Sequence, residues 1–259
     1  MSKVISISNQ KGGCGKSTVS FNLAAGLARK GKSVLCIDND PQGNLTMSMG
    51  HHKPDDLPYT ISNIVEKIAD DQPFEPEKGV LTHDEGVSLM PANIQLSGFE
   101  AALINVYGRE AILKQYVDRI RDHYDFVLID TSPSLNMLTI NALTASDTII
   151  IPTTPQFFSA KGMELLLSTY SRLVRRKINA GLQIEGILIN MMDSRPNFTK
   201  EVASLVRSTF SEKIRVFHTE IPTSVRVSES SAEGISIFKH DPNGKVAQAY
   251  EAFVEEILA

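Results

Sequence analysis

A glycine-rich segment near the start of the chain constrains the fold more than any other feature. Residues 9–18 read NQKGGCGKST, directly after a β-branched run at residues 4–8 (VISIS) and directly before a helical pattern at residues 17–30. A strand, a glycine-rich turn and a helix in this order are typical of a phosphate-binding loop, because glycines let backbone N–H groups converge on an anion and the helix N-terminus adds partial positive charge. The segment therefore predicts an α/β fold with an anion site at its first strand–helix junction.

Short apolar runs alternate with helical patterns along the rest of the chain. Several of these runs are continuously apolar, which is typical of strands buried on both faces. Such alternation predicts a mostly parallel, twisted sheet with helices on both faces. We expect residues 1–259 to form a single domain, with residues 51–82 as surface loops around a short helix at 60–69. The other predicted elements are strands at 4–8, 34–38, 87–90, 126–130, 148–152, 186–191 and 216–221 and helices at 17–30, 108–123, 163–178 and 246–258.

Composition excludes several classes of protein. The 259 residues are 42% hydrophobic, which is too apolar for a disordered chain. Two cysteines are too few for a disulfide-stapled secreted fold or for a four-cysteine metal site within one chain. No apolar run reaches the ~18 residues of a spanning helix, and the first apolar run is too short for a signal peptide. We therefore expect a cytoplasmic protein in a reducing compartment.

Side chains of the glycine-rich segment suit a nucleoside triphosphate bound with Mg²⁺. Lys16 is placed for the β- and γ-phosphates, and Ser17 Oγ is placed for Mg²⁺. The usual pattern has a glycine six residues before this lysine, where this chain has Gln10, while Lys11 adds a second cation beside the loop. The alternative is a glycine-rich turn without a ligand, and the strand, lysine, serine and helix in register argue against it.

Carboxylates are predicted at the same edge of the sheet. Asp130 ends one apolar strand, Asp38 ends a neighbouring one, and Asp40 lies two residues further on. Because ligands of open parallel sheets bind outside the carboxyl ends of the strands, Asp130 is expected to hold Mg²⁺ through water, and Asp40 can orient an attacking water. The alternative for Asp38 and Asp40 is a turn-forming or helix-capping role before Pro41.

Four motifs together resemble the ParA/MinD family of ATPases, over about the whole chain. They are a deviant phosphate loop (KGGCGKS, 11–17), DNDPQGN (38–44), a Walker B strand with its trailing Pro-Ser (YDFVLIDTSPS, 124–134) and IPTSVRVSE (221–229). The resemblance implies a P-loop fold with a deviant Walker A motif, ATP and Mg²⁺ as ligands, and hydrolysis of ATP. The loop positions that it assigns to the nucleotide are Lys11, Gly12, Gly13, Cys14, Gly15, Lys16, Ser17 and Thr18.

The same resemblance assigns roles outside the loop. Asp40 is the hydrolytic residue, Asp38 supports the magnesium site, and Asn190 and Pro222 contact adenine. Lys11 resembles the family lysine that crosses to the partner subunit's phosphates in a sandwich dimer, so that the nucleotide controls association of two copies. The alternatives are a solvated loop lysine at position 11 and ordinary strand-end residues at 190 and 222.

Basic residues concentrate in the last third of an otherwise acidic chain. The net charge is −4, but residues 172–226 hold 10 Lys and Arg against 5 Asp and Glu. Within them, Arg195 and Arg226 occupy positions that resemble DNA-contacting arginines of chromosomal ParA proteins. Cations on a surface bind DNA phosphates without sequence preference, and a dimer doubles the patch. The alternative is a set of solvated, helix-ending basic residues.

We therefore hypothesise a ParA-like ATPase that partitions chromosomal or plasmid DNA. ATP would drive a homodimer that binds double-stranded DNA nonspecifically, and a ParB-type DNA-bound partner would stimulate hydrolysis and release it. Such a protein is expected to be associated with the nucleoid. Because the first predicted strand begins at residue 4, we expect no N-terminal helix-turn-helix that reads an operator. Gln156 and SSAEG at 230–234 depart from the family pattern, at positions that concern partner coupling and the DNA face.

Two other members of the wider family provide alternatives. A MinD-like ATPase that cycles on membranes needs a basic amphipathic C-terminal helix, whereas here Tyr250, Phe253, Val254 and Ile257 lie opposite an acidic face that anionic lipid repels. We expect this helix to pack on the core, with no membrane contact. An electron carrier of the nitrogenase iron-protein type needs two cysteines at a dimer axis, whereas Cys14 lies in the loop and Cys36 lies inside a strand, where both suit packing.

Overall fold

One sheet runs through the computed structural model, which describes residues 2–103, 106–155, 160–193 and 197–259. Within these ranges its eight strands are β1 (Lys3–Ile7), β2 (Val34–Asn39), β3 (Leu81–Thr82), β4 (Val87–Met90), β5 (Phe126–Thr131), β6 (Thr148–Thr153), β7 (Gln183–Met192) and β8 (Val216–Pro222). Their order is β3-β4-β2-β5-β1-β6-β7-β8, and every neighbouring pair is parallel except β3 with β4. The predicted mostly parallel sheet is confirmed.

Helices cover both faces of the sheet, as predicted. Successive strand residues point to opposite faces. Ile5 and Leu128 therefore belong to the core beneath the helices at Lys16–Arg29 and Lys245–Leu258, whereas Val4 and Val127 belong to the core beneath those at Ile61–Ala69 and Ile112–Ile120. The described helices are α1 (Lys16–Arg29), α2 (Asn44–Ser48), α3 (Ile61–Ala69), α4 (Gln95–Ala102), α5 (Ile112–Ile120), α6 (Met137–Ala145), α7 (Ala160–Arg175), α8 (Asn197–Phe210), α9 (Val225–Glu233), α10 (Ile237–His240) and α11 (Lys245–Leu258), with 3₁₀ turns at Pro54–Asp56, Arg109–Ala111 and Arg121–His123.

Strand and helix boundaries differ from the predictions by one to three residues in most elements, but several elements were not predicted. The helix predicted at 108–123 is α5 with a 3₁₀ turn at each end, and the loop predicted at 51–82 contains a 3₁₀ turn and β3 besides α3. α6 escaped prediction because its sequence, MLTINALTA, is buried over most of its circumference and shows no polar face. In α8 the buried residues are Thr199, Ala203 and Val206, while the larger Phe198 and Leu205 are exposed, so the apolar pattern does not mark the buried face.

The C-terminal helix α11 packs on the core, as predicted from its acidic outer face. Tyr250, Phe253, Val254 and Ile257 are all buried. A Cβ atom on Gly26 of α1 would lie 2.5 Å from Val254 Cγ2, so the two helices approach closely at this glycine. None of the described helices combines the length and apolar character that crossing a bilayer requires.

Candidate functional site

The glycine-rich loop connects β1 to α1 at the carboxyl edge of the sheet. Gly13 and Gly15 have φ angles of +72° and +82°, a region that side chains with a Cβ atom rarely adopt. A Cβ on Gly15 would also lie 2.4 Å from Asn190 Nδ2. The loop therefore requires glycine at position 15 both for its backbone conformation and for its contact with the end of β7.

Two asparagines fix this loop to the neighbouring strands. Asn190, which is buried in β7, donates from Nδ2 to the carbonyl of Cys14 at 2.8 Å. Asn9 donates from Nδ2 to the carbonyl of Pro152 at 2.6 Å, and its Oδ1 accepts the N–H of Lys11 at 3.0 Å. Asn190 was predicted to contact adenine, which stays a prediction, and the structure shows that it holds the loop. Asn9 was missed, because a polar residue after a strand has no distinctive sequence signal.

The two lysines of the loop lie in different environments. Lys16 is only 7% exposed, lines the cavity described below, and donates from Nζ to the carbonyl of Lys11 at 3.4 Å. Lys11 is partly exposed and is not among the residues that line the cavity of its own chain. Lys16 is therefore placed to neutralise an anion bound in its own loop, whereas Lys11 does not line the site of that anion.

Buried carboxylates lie beneath the loop. Asp130 of β5 accepts hydrogen bonds from Ser17 Oγ at 2.5 Å and from Ser20 Oγ at 3.2 Å. It is the register neighbour of Asp38 on β2, and both side chains are fully buried. Burial and the nearby Asp38 raise the pKa of Asp130 above the ordinary value for aspartate, although the Ser17 hydroxyl lowers it. The site thus holds a carboxylate that a cation would stabilise.

Asp38 and Asp40 build the turn that follows β2. Asp38 Oδ1 accepts the N–H of Asp40 at 3.1 Å, and its Oδ2 accepts the N–H and the hydroxyl of Thr46 at 2.8 Å and 2.7 Å. Asp40 Oδ1 accepts the N–H of Gln42 at 3.0 Å, and Asp40 lines the cavity. The turn-forming alternative therefore describes Asp38 well, whereas Asp40 forms a turn and also borders the cavity. That Asp38 supports a metal stays a prediction.

A cavity of about 740 Å³ opens above the loop and brings most of the predicted residues together. This volume lies within the range typical of small-ligand sites. Cys14, Asp38 and Asp130 do not line it, and neither does Arg226, while Arg195 and Gln156 lie outside the described residues. The predicted residues that line it are Gly12, Gly13, Gly15, Lys16, Ser17, Thr18, Asp40, Asn190 and Pro222.

Other walls of the cavity were not predicted. α2 contributes Asn44 and Met47, α9 contributes Val227, and α11 contributes Tyr250. Met191 also lines the cavity, in a left-handed conformation with φ +54° that is uncommon for a residue other than glycine. Nothing in the local sequence indicates that conformation, which lies where the register between β7 and β8 shifts.

Basic residues of the segment 172–226 do not form one continuous surface. Arg175 and Arg176 lie at the end of α7, and because the helix between two parallel strands returns to the amino edge, they lie at the edge opposite the loop. Arg226 lies in the first turn of α9 at the carboxyl edge, its side chain is 58% exposed, and it pairs with Glu229 at 2.9 Å. Arg207 pairs with Glu220. Only some of the basic residues of this segment can therefore share a surface with Arg226.

Donor chemistry of the site fits Mg²⁺ bound together with phosphates. The described residues contain no group of three or more His, Cys, Asp or Glu side chains that could hold a metal ion alone. Ser17 and Asp130 provide oxygen atoms, which Mg²⁺ prefers, and Mg²⁺ usually keeps waters and substrate phosphates as further ligands. Burial raises the pKa of the Cys14 and Cys36 thiols, so both favour the neutral, packed form that the sequence suggested.

The raised pKa of Asp130 predicts that Asp130→Asn stabilises the ligand-free protein at neutral and higher pH. An aspartate whose pKa is higher in the folded than in the unfolded protein destabilises the fold as pH increases from the unfolded pKa, ~3.9, toward the folded pKa. Asparagine removes that loss, and the Ser17 and Ser20 hydroxyls can still pair with its amide. We expect a gain of about 1–2 kcal/mol, or a Tm higher by ~2–8 °C, in thermal unfolding at pH ~8, and a smaller gain at pH ~5.

Asp38→Asn is the matched control, because Asp38 accepts backbone N–H groups on both oxygens. An amide NH₂ there would face an N–H donor, so this variant should melt below the wild type. If Asp130→Asn also melts lower at the higher pH, the buried carboxylate is not a source of instability.

Comparisons with known proteins show similarity along the whole chain. A family model described as an AAA domain matches residues 2–184. The chain is 40% identical over 259 residues to the sporulation initiation inhibitor protein Soj of Bacillus subtilis (strain 168), which covers 100% of this chain and 99% of that protein. It is 37% identical over 256 residues to the chromosome partitioning protein ParA of Myxococcus xanthus (strain DK1622), with 99% and 88% covered.

A solved structure shares the fold over the whole of this chain. Cobyrinic acid a,c-diamide synthase from Mycobacterium smegmatis, with a bound ATP analog and magnesium, superimposes with a TM-score of 0.87. Its sequence identity is 33%, and the match covers 100% of this chain and 94% of that one. The matched regions include every segment that forms the cavity.

Proposed function

The chain belongs to the ParA/MinD family of ATPases, and on that premise we propose that it partitions DNA through an ATP-dependent homodimer. ATP with Mg²⁺ binds at the loop, two copies associate around two nucleotides, and the dimer binds double-stranded DNA without sequence preference. A ParB-type DNA-bound partner stimulates hydrolysis, which separates the copies. The protein then works in the cytoplasm, in association with the nucleoid. The similarity to proteins named for chromosome partitioning supports this proposal.

The main observation that supports the dimer is the difference between the two loop lysines. Lys16 is buried and lines its own cavity, whereas Lys11 is partly exposed and does not line it. A partly exposed cation in the loop that does not line its own cavity can stabilise a triphosphate in a facing copy when two loops meet. Nucleotide affinity and association are then linked, because a ligand that binds better to the dimer favours the dimer.

The residues divide the work at the phosphates. Lys16 and the N–H groups of the loop bind phosphate oxygens, while Ser17 and Asp130 would hold Mg²⁺. When bound, Mg²⁺ neutralises part of the charge that develops on the transferred phosphoryl group. Asp40 borders the cavity and is held by its bond from Gln42, so its carboxylate can orient the attacking water. The similarity to cobyrinic acid a,c-diamide synthase, whose structure contains an ATP analog and magnesium, supports the same ligands here.

The proposal predicts that DNA retention depends on Arg195 and Arg226. Arg195→Ala combined with Arg226→Ala should weaken binding of the ATP-bound protein to nonspecific duplex by about tenfold at low salt and reduce the salt dependence, because phosphate contacts release counterions. Arg175→Ala with Arg176→Ala removes the same charge at the opposite edge and should bind as the wild type does. A salt titration of duplex binding measures both. If both double variants bind duplex as tightly as the wild type does, Arg195 and Arg226 are ordinary solvated surface residues.

Sedimentation separates this proposal from a membrane-cycling ATPase. The protein is sedimented with ATP or ADP, with and without nonspecific duplex and with anionic lipid vesicles. We expect a dimer with ATP, a monomer with ADP, and cosedimentation of the ATP form with duplex only. Cosedimentation with vesicles would instead favour the MinD-like alternative, which the packing of α11 on the core disfavours.

A further inference from the structure

The turn between β3 and β4 carries two side chains that the mechanism above does not use. They reach residues 234–237, which connect α9 to α10 and are called the junction below. His83 Nδ1 accepts the N–H of Glu85 at 3.2 Å, so Nε2 is the ring nitrogen that donates, and it lies 2.9 Å from the carbonyl oxygen of Gly234. Glu85 accepts the N–H of Ser236 on Oε1 at 2.8 Å and the Ser236 hydroxyl on Oε2. A turn that is distant in the sequence therefore holds the junction.

Two other elements hold the same junction. On α1, the buried Asn22 accepts the N–H of Ile237 on Oδ1 at 2.8 Å. Just past the end of α2, Gly50 lies against Gly234, and a Cβ atom on Gly234 would lie only 2.3 Å from Gly50 Cα. Gly234 also has a φ angle of +70°, so it must be glycine both for its conformation and for this backbone contact. The junction is thus anchored to α1, to the end of α2 and to the β3–β4 turn.

The two helices that meet at this glycine contact are both walls of the cavity. α2 contributes Met47 and Ser48, and α9 contributes Ser228 and Ser231. α9 has little burial to fix it on the core, since Ser230 is the one buried residue among its nine. A helix of this length is also too short to be stable alone. The position of the α9 wall therefore depends on the junction that follows it.

We propose that His83 and Glu85 are positioning residues for nucleotide binding, which rests on the proposed function of the cavity. By holding the junction, they keep α9 at the distance from α1 at which both helices contact one bound nucleotide. The phosphates bind at the loop before α1, so a displaced α9 removes contacts from another side of the nucleotide and leaves the loop intact. Neither residue lines the cavity, so both act on the nucleotide only through α9.

Glu85→Ala tests this inference by calorimetry of Mg²⁺-ADP binding to the full chain. Loss of the bonds to Ser236 should weaken ADP binding by roughly fivefold. Glu85→Gln should restore the affinity close to that of the wild type, because an amide oxygen can accept the same N–H. Asp84→Ala is the matched control and should bind ADP as the wild type does. It removes an exposed carboxylate of the same turn that has no hydrogen bond to the junction among the described residues.

A pair of glycine variants separates positioning from a general loss of stability. Gly234→Ala and Gly31→Ala both place a side chain at a positive φ angle, +70° and +78°, so both should lower the Tm. Only Gly234→Ala also pushes against Gly50, because a Cβ on Gly31 would meet no described atom within 4 Å beyond its chain neighbours. ADP affinity should therefore fall in Gly234→Ala alone. Partial unfolding would instead lower the apparent stoichiometry of binding in both variants.

Two results would overturn the inference. One is wild-type ADP affinity in Glu85→Ala, with or without a lower Tm, since Glu85 would then only stabilise the fold. The other is an equal loss of affinity in Asp84→Ala or Gly31→Ala, which would indicate a general effect of substitution. If Gly234→Ala does not fold, Glu85→Ala decides the question. Failure of the proposed function gives a different result, because Lys16→Ala would then bind Mg²⁺-ADP as tightly as the wild type does.

Discussion

Lys16→Ala is expected to cause a large loss of affinity for ATP and ADP. Lys16 is almost fully buried at the start of α1, and its Nζ lies over the loop at 3.4 Å from the Lys11 carbonyl. Its ammonium is therefore desolvated and placed to meet the phosphates inside the cavity. Removing one partner of a buried charge pair costs about 2–5 kcal/mol, which corresponds to a loss of ~30- to 5,000-fold in affinity. Titration of Mg²⁺-ADP into the variant measures it.

The control for this prediction is Lys11→Ala, because both variants remove one positive charge from the same loop. Lys11→Ala should retain nucleotide binding by the isolated chain and lose only the ATP-dependent dimer, since Lys11 does not line its own cavity. Circular dichroism should show that both variants are folded. Tight binding of ADP by Lys16→Ala would show that the loop is not a phosphate site, whatever its resemblance to one.

The sequence predicted the sheet and the loop because their signals are local. The glycines of the loop, the apolar strands and the helix that follows them are adjacent in the chain, so their pattern determines their structure. Asp130 and Asp38 were correctly placed at one edge, since the direction of parallel strands determines where they end. The family resemblance assigned Asn190 and Pro222 to the nucleotide, and both line the cavity.

Other parts of the site depend on tertiary contacts that no local pattern encodes. Tyr250 reaches the cavity only because α11 packs against β8 and α1. Met191 adopts its left-handed conformation where the register of β7 with β8 shifts. In the sequence, the basic segment 172–226 looks like one patch. In the fold, the same segment starts at the end of α7, at one edge of the sheet, and ends at α9, at the opposite edge. Charge counted along a chain does not show which charges share a surface.

Asp40→Ala is expected to retain ATP but to reduce its hydrolysis by about 100- to 10,000-fold, the usual contribution of a positioned acid or base. Asp40 lines the cavity, although it is not part of the phosphate-binding loop. Without hydrolysis the ATP-bound dimer should persist. Phosphate release at saturating ATP measures turnover, and sedimentation after removal of free ATP measures the lifetime of the dimer.

The double role of Asp40 makes the alanine variant ambiguous on its own, and asparagine resolves the ambiguity. Asp40 Oδ1 accepts the Gln42 N–H, so alanine removes both the hydrogen bond that holds the turn and the carboxylate. Asp40→Asn retains an amide oxygen that can accept the same bond, but its amide cannot act on water as a carboxylate does. Loss of hydrolysis in both variants with retained ATP binding would place the chemistry on the carboxylate. Wild-type turnover in Asp40→Asn would instead leave Asp40 with the turn alone, and the group that orients the water would have to be another residue of the cavity.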